Sequence, residues 1–246
     1  MTLPHLRNPD QYALFLDFDG TLVAIADRPD DVRLDPGTRV ALADLNQLLA
    51  GAVAIITGRE IAVVDRFLAP LRLSVAGVHG LMRRDARGRT WTSPFDAGLP
   101  EAIERAVSPL LKKYPDLRVE RKFGAVALHY RDHPELEQAS IDALESAVCE
   151  LKHTEIKRGK MVVEVKAIGG NKGAAVADFL KEEPFAGRRA VFAGDDVTDE
   201  DAFAFVNAQD GISIKVGPGP TSAAYRTSGT AEFLDWLRRL PAQLAG

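Results

Sequence analysis

The sequence is short of cysteine, of long apolar runs and of surplus positive charge. It has one cysteine, Cys149, in 246 residues, so no internal disulfide can form and we expect a reducing compartment such as the cytoplasm. The longest apolar runs, such as 52–56, fall far short of the roughly 20 residues that a membrane span needs. The N-terminus shows no basic-then-apolar signal pattern. Lys and Arg total 31 against 35 Asp and Glu, for a net charge of −4, which argues against nucleic acid or an anionic membrane as partner.

What is present is an ordinary globular composition with 46% hydrophobic and 27% charged residues. Two short apolar runs, at 12–16 and 52–56, end in polar clusters and are typical of buried strands in a parallel sheet. The segment 36–50 between them has apolar residues at helical spacing. A strand, a helix and a second strand in succession predict an α/β fold with an open parallel sheet.

The same alternation returns near the C-terminus, whereas the middle of the chain has a different pattern. The late segments are a helix at 171–181, a strand at 189–193, and helices at 198–206 and 231–240. The middle segments are strands at 118–122 and 125–131, a helix at 135–151, and a second hairpin at 154–157 and 161–166. Helices alternating with hairpins are typical of an α+β layer. We therefore predict a Rossmann-like core formed by 1–96 and 170–246, with an α+β cap inserted at 97–169.

Polar side chains follow the predicted core strands, where open α/β sheets bind their ligands. They are Asp17, Asp19, Thr57, Asp195 and Asp196. Several carboxylates in one crevice repel one another unless a cation lies among them. Oxygen ligands without a paired histidine or cysteine favour Mg²⁺ over zinc. The sequence therefore predicts a magnesium site that also binds a phosphate group.

The same residues suggest how a phosphoryl group would be transferred. A carboxylate can attack phosphorus and form an aspartyl-phosphate. Lys172 would supply a positive charge, and Thr57 with the amides of the Thr57-Gly58 turn would hold phosphate oxygens. Each signal also has a simpler structural explanation, such as a turn for 17–21. For the acidic residues that follow Asp196 (Asp199, Glu200 and Asp201), we favour a structural role at a helix N-terminus, where negative side chains interact favourably with the macrodipole.

Taken together and in order, these segments resemble the four motifs of the haloacid dehalogenase (HAD) superfamily of phosphohydrolases. The segment 17–22 resembles the first motif, in which the first Asp, here Asp17, is the nucleophile and the second, Asp19, is the general acid/base. The segment 57–59 is similar to the second motif, Lys172 to the third and 194–196 to the fourth. The resemblance implies Mg²⁺-dependent phosphate monoester hydrolysis and a C2-type cap. It places Asp17, Asp195 and the backbone carbonyl of Asp19 at the metal.

The fourth motif, at 194–203, and the predicted cap strands closely resemble the trehalose-6-phosphate phosphatase branch of that superfamily. The resemblance implies a small-molecule sugar phosphate as substrate. It assigns phosphate binding to Gly58 and Arg59, and binding of the disaccharide hydroxyls to Glu120, Lys122 and Glu164. Glu120 and Lys122 lie two apart and so share one face of a strand, which is also the pattern of an exposed ion pair.

Three alternatives remain open at this point. The substrate is another sugar phosphate, such as sucrose 6-phosphate or mannosyl-3-phosphoglycerate; the reaction is a mutase reaction; or the protein binds sugar phosphates without catalysis. A cap that excludes water must close over its substrate. We therefore also expect closure about two linkers, at 93–99 and 167–171. The oligomeric state is not encoded in any pattern that we can interpret.

Overall fold

The chain divides into two compact units in the computed structural model, which describes residues 3–26, 32–92, 98–149, 151, 154–167 and 171–245. The first unit comprises Met1–Thr92 and Gly170–Gly246, and the second comprises Ser93–Gly169. Each unit has its own cluster of buried apolar side chains. The predicted linkers at 93–99 and 167–171 fall mostly outside the described residues.

Strands and helices alternate in the first unit, whereas the strands of the second unit form antiparallel hairpins. The strands are β1 (Tyr12–Leu16), β2 (Val53–Ile56), β3 (Ser74–Gly77), β4 (Met82–Arg84), β5 (Thr90–Thr92), β6 (Arg118–Lys122), β7 (Ala125–His129), β8 (Thr154–Gly159), β9 (Val162–Ala167), β10 (Arg189–Gly194), β11 (Ile212–Val216) and β12 (Tyr225–Thr227). The helices are α1 (Pro36–Leu48), α2 (Ile61–Leu68), α3 (Leu99–Lys113), α4 (Glu137–Val148), α5 (Lys172–Phe179), α6 (Glu200–Ala208) and α7 (Thr230–Ala245).

The first unit is built on one sheet, with strand order β12-β11-β10-β1-β2-β3-β4-β5 among the described residues. The strands from β12 to β3 run parallel, and β4 and β5 continue the sheet antiparallel. The central strands β1, β2 and β10 are almost wholly buried because a parallel sheet is covered on both faces by helices. The carboxyl ends of these three strands therefore lie side by side, and the predicted parallel α/β core is confirmed.

Some elements differ from the sequence-based prediction. The helix expected at 171–181 begins at Lys172, because the Asn171 side chain accepts a hydrogen bond from the Ala174 N–H and caps it. The helix expected at 198–206 begins as a 3₁₀ turn at Val197–Asp199. The prediction gave no bounds for α3, and it missed β3, β4, β5, β11, β12 and α2 altogether. Most of these strands are only three or four residues long, too short to carry a periodic pattern.

The second unit is a four-stranded antiparallel sheet of order β6-β7-β9-β8, with α3 and α4 packed on one face. Side chains alternate between the two faces of a strand, and Val126, Leu128 and Val163 point to the helices and form the buried cluster. Residues in register with Ala127, namely Glu120 and Glu164, lie on the opposite face. None of the described helices in either unit combines the length and the apolar character needed to cross a membrane.

Candidate active site

Asp17 follows directly after β1 and is buried, with 4% of its surface exposed. Its backbone N–H donates to the Ala193 carbonyl of β10, which continues the sheet register by one residue. Lys172, the first residue of α5, donates from Nζ to Oδ1 of Asp17 at 2.7 Å. Both side chains are almost fully removed from solvent. The two predicted catalytic residues are therefore in direct contact although they lie 155 positions apart in the sequence.

Asp199 also contacts this pair. The prediction that it is only an acid at a helix N-terminus is therefore incomplete. Lys172 also donates to Oδ1 of Asp199 at 2.7 Å, and Asp199 is fully buried. The other oxygen, Oδ2, accepts from the backbone N–H groups of Asp195 and Asp196 at 3.0 and 2.9 Å. Asp199 does cap the 3₁₀ turn as part of a capping box. It also fixes both the lysine and the turn that carries Asp195.

Asp195 lies beside Asp17 at the carboxyl end of β10. Ligand oxygens of Asp17, Asp195 and Asp199 all lie within 4.8 Å of one another. Gly20, with φ +79°, approaches Asp195 so closely that any side chain at position 20 would collide with the carboxylate. Asp196 is exposed and outside this group, and its Oδ1 accepts from the Val197 N–H at 2.7 Å.

The electrostatics of this cluster indicate a shortage of positive charge. Burial raises the pKa of Asp17 to about 8, although Lys172 opposes the rise and Asp199 adds to it. Burial, followed by the charge of Asp199, raises the pKa of Asp195 to about 6. Burial alone would lower the pKa of Lys172, but the carboxylates of Asp17 and Asp199 outweigh it and the pKa is raised. The Lys172 ammonium therefore does not fully compensate the two buried carboxylates and the half-buried Asp195.

The donor set fits a hard divalent cation. It consists of carboxylate oxygens alone, which suits Mg²⁺ better than zinc. When all four groups are ionised, Asp17, Asp195, Asp199 and Lys172 carry a net charge of −2, equal and opposite to that of one such ion. An ion among these oxygens would favour their ionised forms and so reverse the two raised carboxylate pKa values.

Asp19 is not part of this carboxylate cluster in the structure. Its two oxygens accept hydrogen bonds from Nε and Nη2 of Arg59, both at 2.6 Å, in a bidentate ion pair. The guanidinium carbon of Arg59 lies 5.6 Å from the ring centroid of Phe18 and 5.3 Å from that of Phe67, and these two rings also contact each other. The arginine is mostly buried, whereas the Asp19 side chain is 39% exposed. The two residues, predicted as acid/base and phosphate ligand, contact each other at the edge of the sheet.

Thr57 and Gly58 form a turn at the carboxyl end of β2, the strand next to β1. Thr57 is fully buried, and its Oγ1 accepts from the Arg59 N–H at 3.1 Å. The hydroxyl therefore keeps its own proton for donation to a ligand. The turn lies at the same edge of the sheet as Asp17, which places it where a bound phosphate could be held.

Lys215 was not found from the sequence. It lies at the carboxyl end of β11, is 5% exposed, and donates from Nζ to the backbone carbonyl of Asp195. The Asp195 turn is thus held on its N–H side by Asp199 and on its carbonyl side by Lys215. One signal in the sequence could have indicated it: Lys215 lies between the apolar residues Ile214 and Val216. A lysine inside an apolar segment needs a partner, since lysine is almost never fully buried without one.

The three residues predicted to bind the sugar lie together on the open face of the second unit's sheet. Lys122 Nζ lies 2.9 Å from Oε1 of Glu164 and 3.7 Å from Oε2 of Glu120. His129 Nε2 lies 2.9 Å from Oε2 of Glu120, which extends the polar group along the same face. Glu120 and Lys122 do share one face of β6, and the cluster is a solvent-exposed network of hydrogen bonds and ion pairs.

Comparison with known proteins gives a consistent result. The family model for trehalose-phosphatase matches residues 15–232. The trehalose-6-phosphate phosphatase of Escherichia coli is 39% identical, over 99% of this chain and 93% of its own length. The crystal structure of a trehalose-6-phosphate phosphatase related protein is similar with a TM-score of 0.68 and 29% identity, over 94% of this chain and 97% of that one. A HAD-superfamily phosphatase from Bacteroides thetaiotaomicron shares the fold, with a TM-score of 0.59 and 14% identity over 97% and 98% of the two chains.

Proposed function

The chain belongs to the trehalose-phosphatase family, and we propose that it hydrolyses trehalose 6-phosphate to trehalose and inorganic phosphate with Mg²⁺ as cofactor. The observation that carries the chemistry is the buried contact of Asp17 with Lys172 beside Asp195. The family match supports the disaccharide, rather than sucrose 6-phosphate or mannosyl-3-phosphoglycerate, as the alcohol part of the substrate. A cytoplasmic location is part of the proposal and is supported by the single cysteine.

Asp17 is the nucleophile in this proposal. Its carboxylate attacks phosphorus, and the bond between phosphorus and the sugar oxygen breaks. Lys172 holds one oxygen of Asp17 at 2.7 Å, which favours the ionised form and orients the carboxylate. Bound Mg²⁺ would supply the positive charge that the carboxylates and the incoming phosphate require. We assign Asp17, Asp195 and the backbone carbonyl of Asp19 to the metal, because both oxygens of Asp199 already accept hydrogen bonds from Lys172 and the Asp195 turn.

Asp19 is the general acid and then the general base. As the sugar oxygen leaves, it takes the proton of the Asp19 carboxylic acid, and trehalose is released. Water then attacks phosphorus and gives its proton to Asp19, while the bond to Asp17 breaks and inorganic phosphate forms. In the resting arrangement both oxygens of Asp19 are bonded to Arg59. Asp19 is the more exposed partner and must therefore turn from Arg59 toward the sugar oxygen during the cycle.

Binding is divided between the two units. We assign the phosphate oxygens to the Thr57 hydroxyl, the Gly58 amide, Arg59 and Lys172, all at the carboxyl edge of the parallel sheet or beside it. We assign the disaccharide hydroxyls to Glu120, Lys122 and Glu164, which offer both acceptors and a donor on one face. The second unit would then act as a specificity cap, and its closure on substrate would exclude water from the reaction.

The test is release of phosphate from a panel of sugar phosphates, with Mg²⁺ and with a chelator, for the wild type and Asp17→Asn. We expect metal-dependent release with a strong preference for trehalose 6-phosphate, and a fall of at least about a thousandfold in the variant. Preference for another sugar phosphate would remove the substrate assignment and keep the chemistry. An isomerised phosphate without release would indicate a mutase, and binding without turnover a sugar-phosphate sensor.

A further inference from the structure

Three successive residues after β3 have positive φ angles. Val78 has φ 48°, His79 has φ 53° and Gly80 has φ 102°. Glycine adopts this region freely, but a β-branched valine there is a clear outlier and two non-glycine residues in a row are rarer still. Such strain persists only where surrounding contacts impose it, and it concentrates at ligand-binding and catalytic sites.

The strained segment is bonded to the Thr57-Gly58-Arg59 turn. The Val78 N–H donates to the Arg59 carbonyl at 3.1 Å, and the His79 N–H donates to the Thr57 carbonyl at 2.9 Å. Gly77, just before, approaches so closely that a Cβ on it would lie 2.7 Å from the Arg59 carbonyl oxygen. The two segments therefore run side by side beyond the ends of β2 and β3, with no room for a side chain between them.

The His79 imidazole lies against Gly58 of the turn. A Cβ on Gly58 would lie 2.8 Å from Nε2 and 3.0 Å from Cε1 of His79, so the ring occupies the space that a side chain at position 58 would need. The ring is half-buried. Residues of α5, the helix that begins with Lys172, lie close to the same segment. The imidazole is thus packed against the glycine whose amide is assigned to the phosphate.

We propose that His79 is a positioning residue for the phosphate-binding turn. Its strained backbone and its ring hold Thr57 and Gly58 so that the hydroxyl and the amide converge on one phosphate oxygen site. The inference rests on the proposed function, because it takes that turn to bind the substrate phosphate. It adds a residue to which the sequence analysis assigned no role. Loss of the ring should weaken phosphate binding in substrate and product alike, without changing the metal requirement.

The experiment uses His79→Gly and His79→Asn, since both residues tolerate a positive φ and both delete the imidazole. Asp210→Gly is the matched control. Asp210 also has a positive φ, 54°, but it precedes the amino end of β11, whereas the candidate site lies at the carboxyl ends of the strands. The measurements are KM and kcat for trehalose 6-phosphate, the dissociation constant of inorganic phosphate by calorimetry in the presence of Mg²⁺, and the thermal midpoint. For both His79 variants we expect KM and the phosphate dissociation constant to rise about tenfold or more, by misplacement of the turn, with a smaller change in kcat. The midpoint of His79→Gly should equal or exceed that of the wild type, because strain is relieved.

The outcomes separate this inference from the proposed function. Wild-type KM and phosphate affinity in a folded His79→Gly or His79→Asn variant would overturn the inference. The inference would also be overturned if both variants lost phosphate affinity and their thermal midpoints fell by the same amount, because the role of His79 would then be purely structural. A wild-type protein that neither binds phosphate nor releases it from trehalose 6-phosphate would instead refute the proposed function. Asp210→Gly should leave KM, kcat and phosphate affinity unchanged.

Discussion

The carboxyl edge of the core sheet and the open face of the second unit contain the same kind of interaction in opposite environments. Lys172 contacts Asp17 at 2.7 Å with both side chains at most 5% exposed, whereas Lys122 contacts Glu164 at 2.9 Å with 46% and 25% exposure. A buried charge must be compensated by protein groups or a metal, because water cannot screen it. An exposed pair is screened and contributes about 0–1 kcal/mol.

The difference teaches how the two regions divide their tasks. In the core, burial raises the pKa values of Asp17 and Asp195, so the charge balance there is part of the chemistry. On the open face, the bonds between Lys122 and its neighbours are easily exchanged for bonds to sugar hydroxyls, since breaking them costs little. The fixed region thus suits phosphoryl transfer, and the exposed region suits recognition of a polar alcohol.

The largest expected effect comes from removing the buried ammonium. Lys172→Met leaves Asp17 and Asp199 without their shared cation, and we expect a loss of about 3 kcal/mol in unfolding free energy at pH 8. Phosphate release from trehalose 6-phosphate should fall at least about a thousandfold. Denaturant unfolding and steady-state kinetics measure the two effects.

The matched control is Lys181→Met, which removes an exposed lysine that contacts Asp178 at 2.8 Å. The Lys172–Asp17 and Lys181–Asp178 ion pairs have similar contact distances and differ mainly in burial. We expect a change within about 1 kcal/mol and unchanged activity for the control. Equal destabilisation by the two substitutions would contradict the comparison between buried and exposed pairs.

A smaller but diagnostic effect concerns pH and metal. The folded-state pKa values of Asp17 and Asp195 are raised to about 8 and about 6 from 3.8. The folded protein therefore binds more protons than the unfolded chain between about pH 4 and pH 8, so these groups make metal-free stability fall as pH rises through that window. Thermal unfolding at pH 5.5, 7 and 8.5 with a chelator should show this decline.

Magnesium should reverse the trend, because it binds the ionised carboxylates and its stabilising effect grows with pH. Asp17→Asn should flatten most of the decline in the metal-free protein, since the carboxyl group with the largest rise in pKa is gone. A metal-free midpoint that climbs from pH 5.5 to 8.5 would show that the cluster does not lack positive charge.

Much of the fold and of the site could be predicted from the sequence, because motifs that follow buried strands report both the strand and the chemistry. Asp17, Thr57 and Asp195 were located in this way. Lys172 was found from its place at a helix start after two glycines. Their meeting at one edge follows from the parallel topology that the strand–helix–strand pattern predicts.

The residues that were missed depend on tertiary contacts. Asp199 looks like any acid at a helix N-terminus, and only the fold brings it to Lys172. Lys215 lies on a strand that was not predicted, and its acceptor is a backbone carbonyl, which leaves no trace in sequence. His79 is positioned by backbone angles rather than by a motif. Asp19 was expected to face the metal crevice, yet its carboxylate binds Arg59, because a bidentate arginine competes well for an exposed carboxylate.

The smallest expected effect on stability is also the sharpest test of the division of tasks. Lys122→Met should change the unfolding free energy by less than about 1 kcal/mol, since the side chain is exposed. It should lower kcat/KM for trehalose 6-phosphate by about tenfold to a hundredfold, because polar groups that would bind sugar hydroxyls lose their donor. Activity on para-nitrophenyl phosphate, which has no sugar, should stay within about twofold of the wild type, since only contacts to the alcohol differ.

Arg121→Met is the control: Arg121 is the preceding residue of β6, faces the other side of the sheet and also forms an exposed ion pair, with Glu104. If both substitutions lowered sugar-phosphate turnover equally, the open face would have no special part in recognition. If neither did, Lys122 would have no part in recognition of the disaccharide.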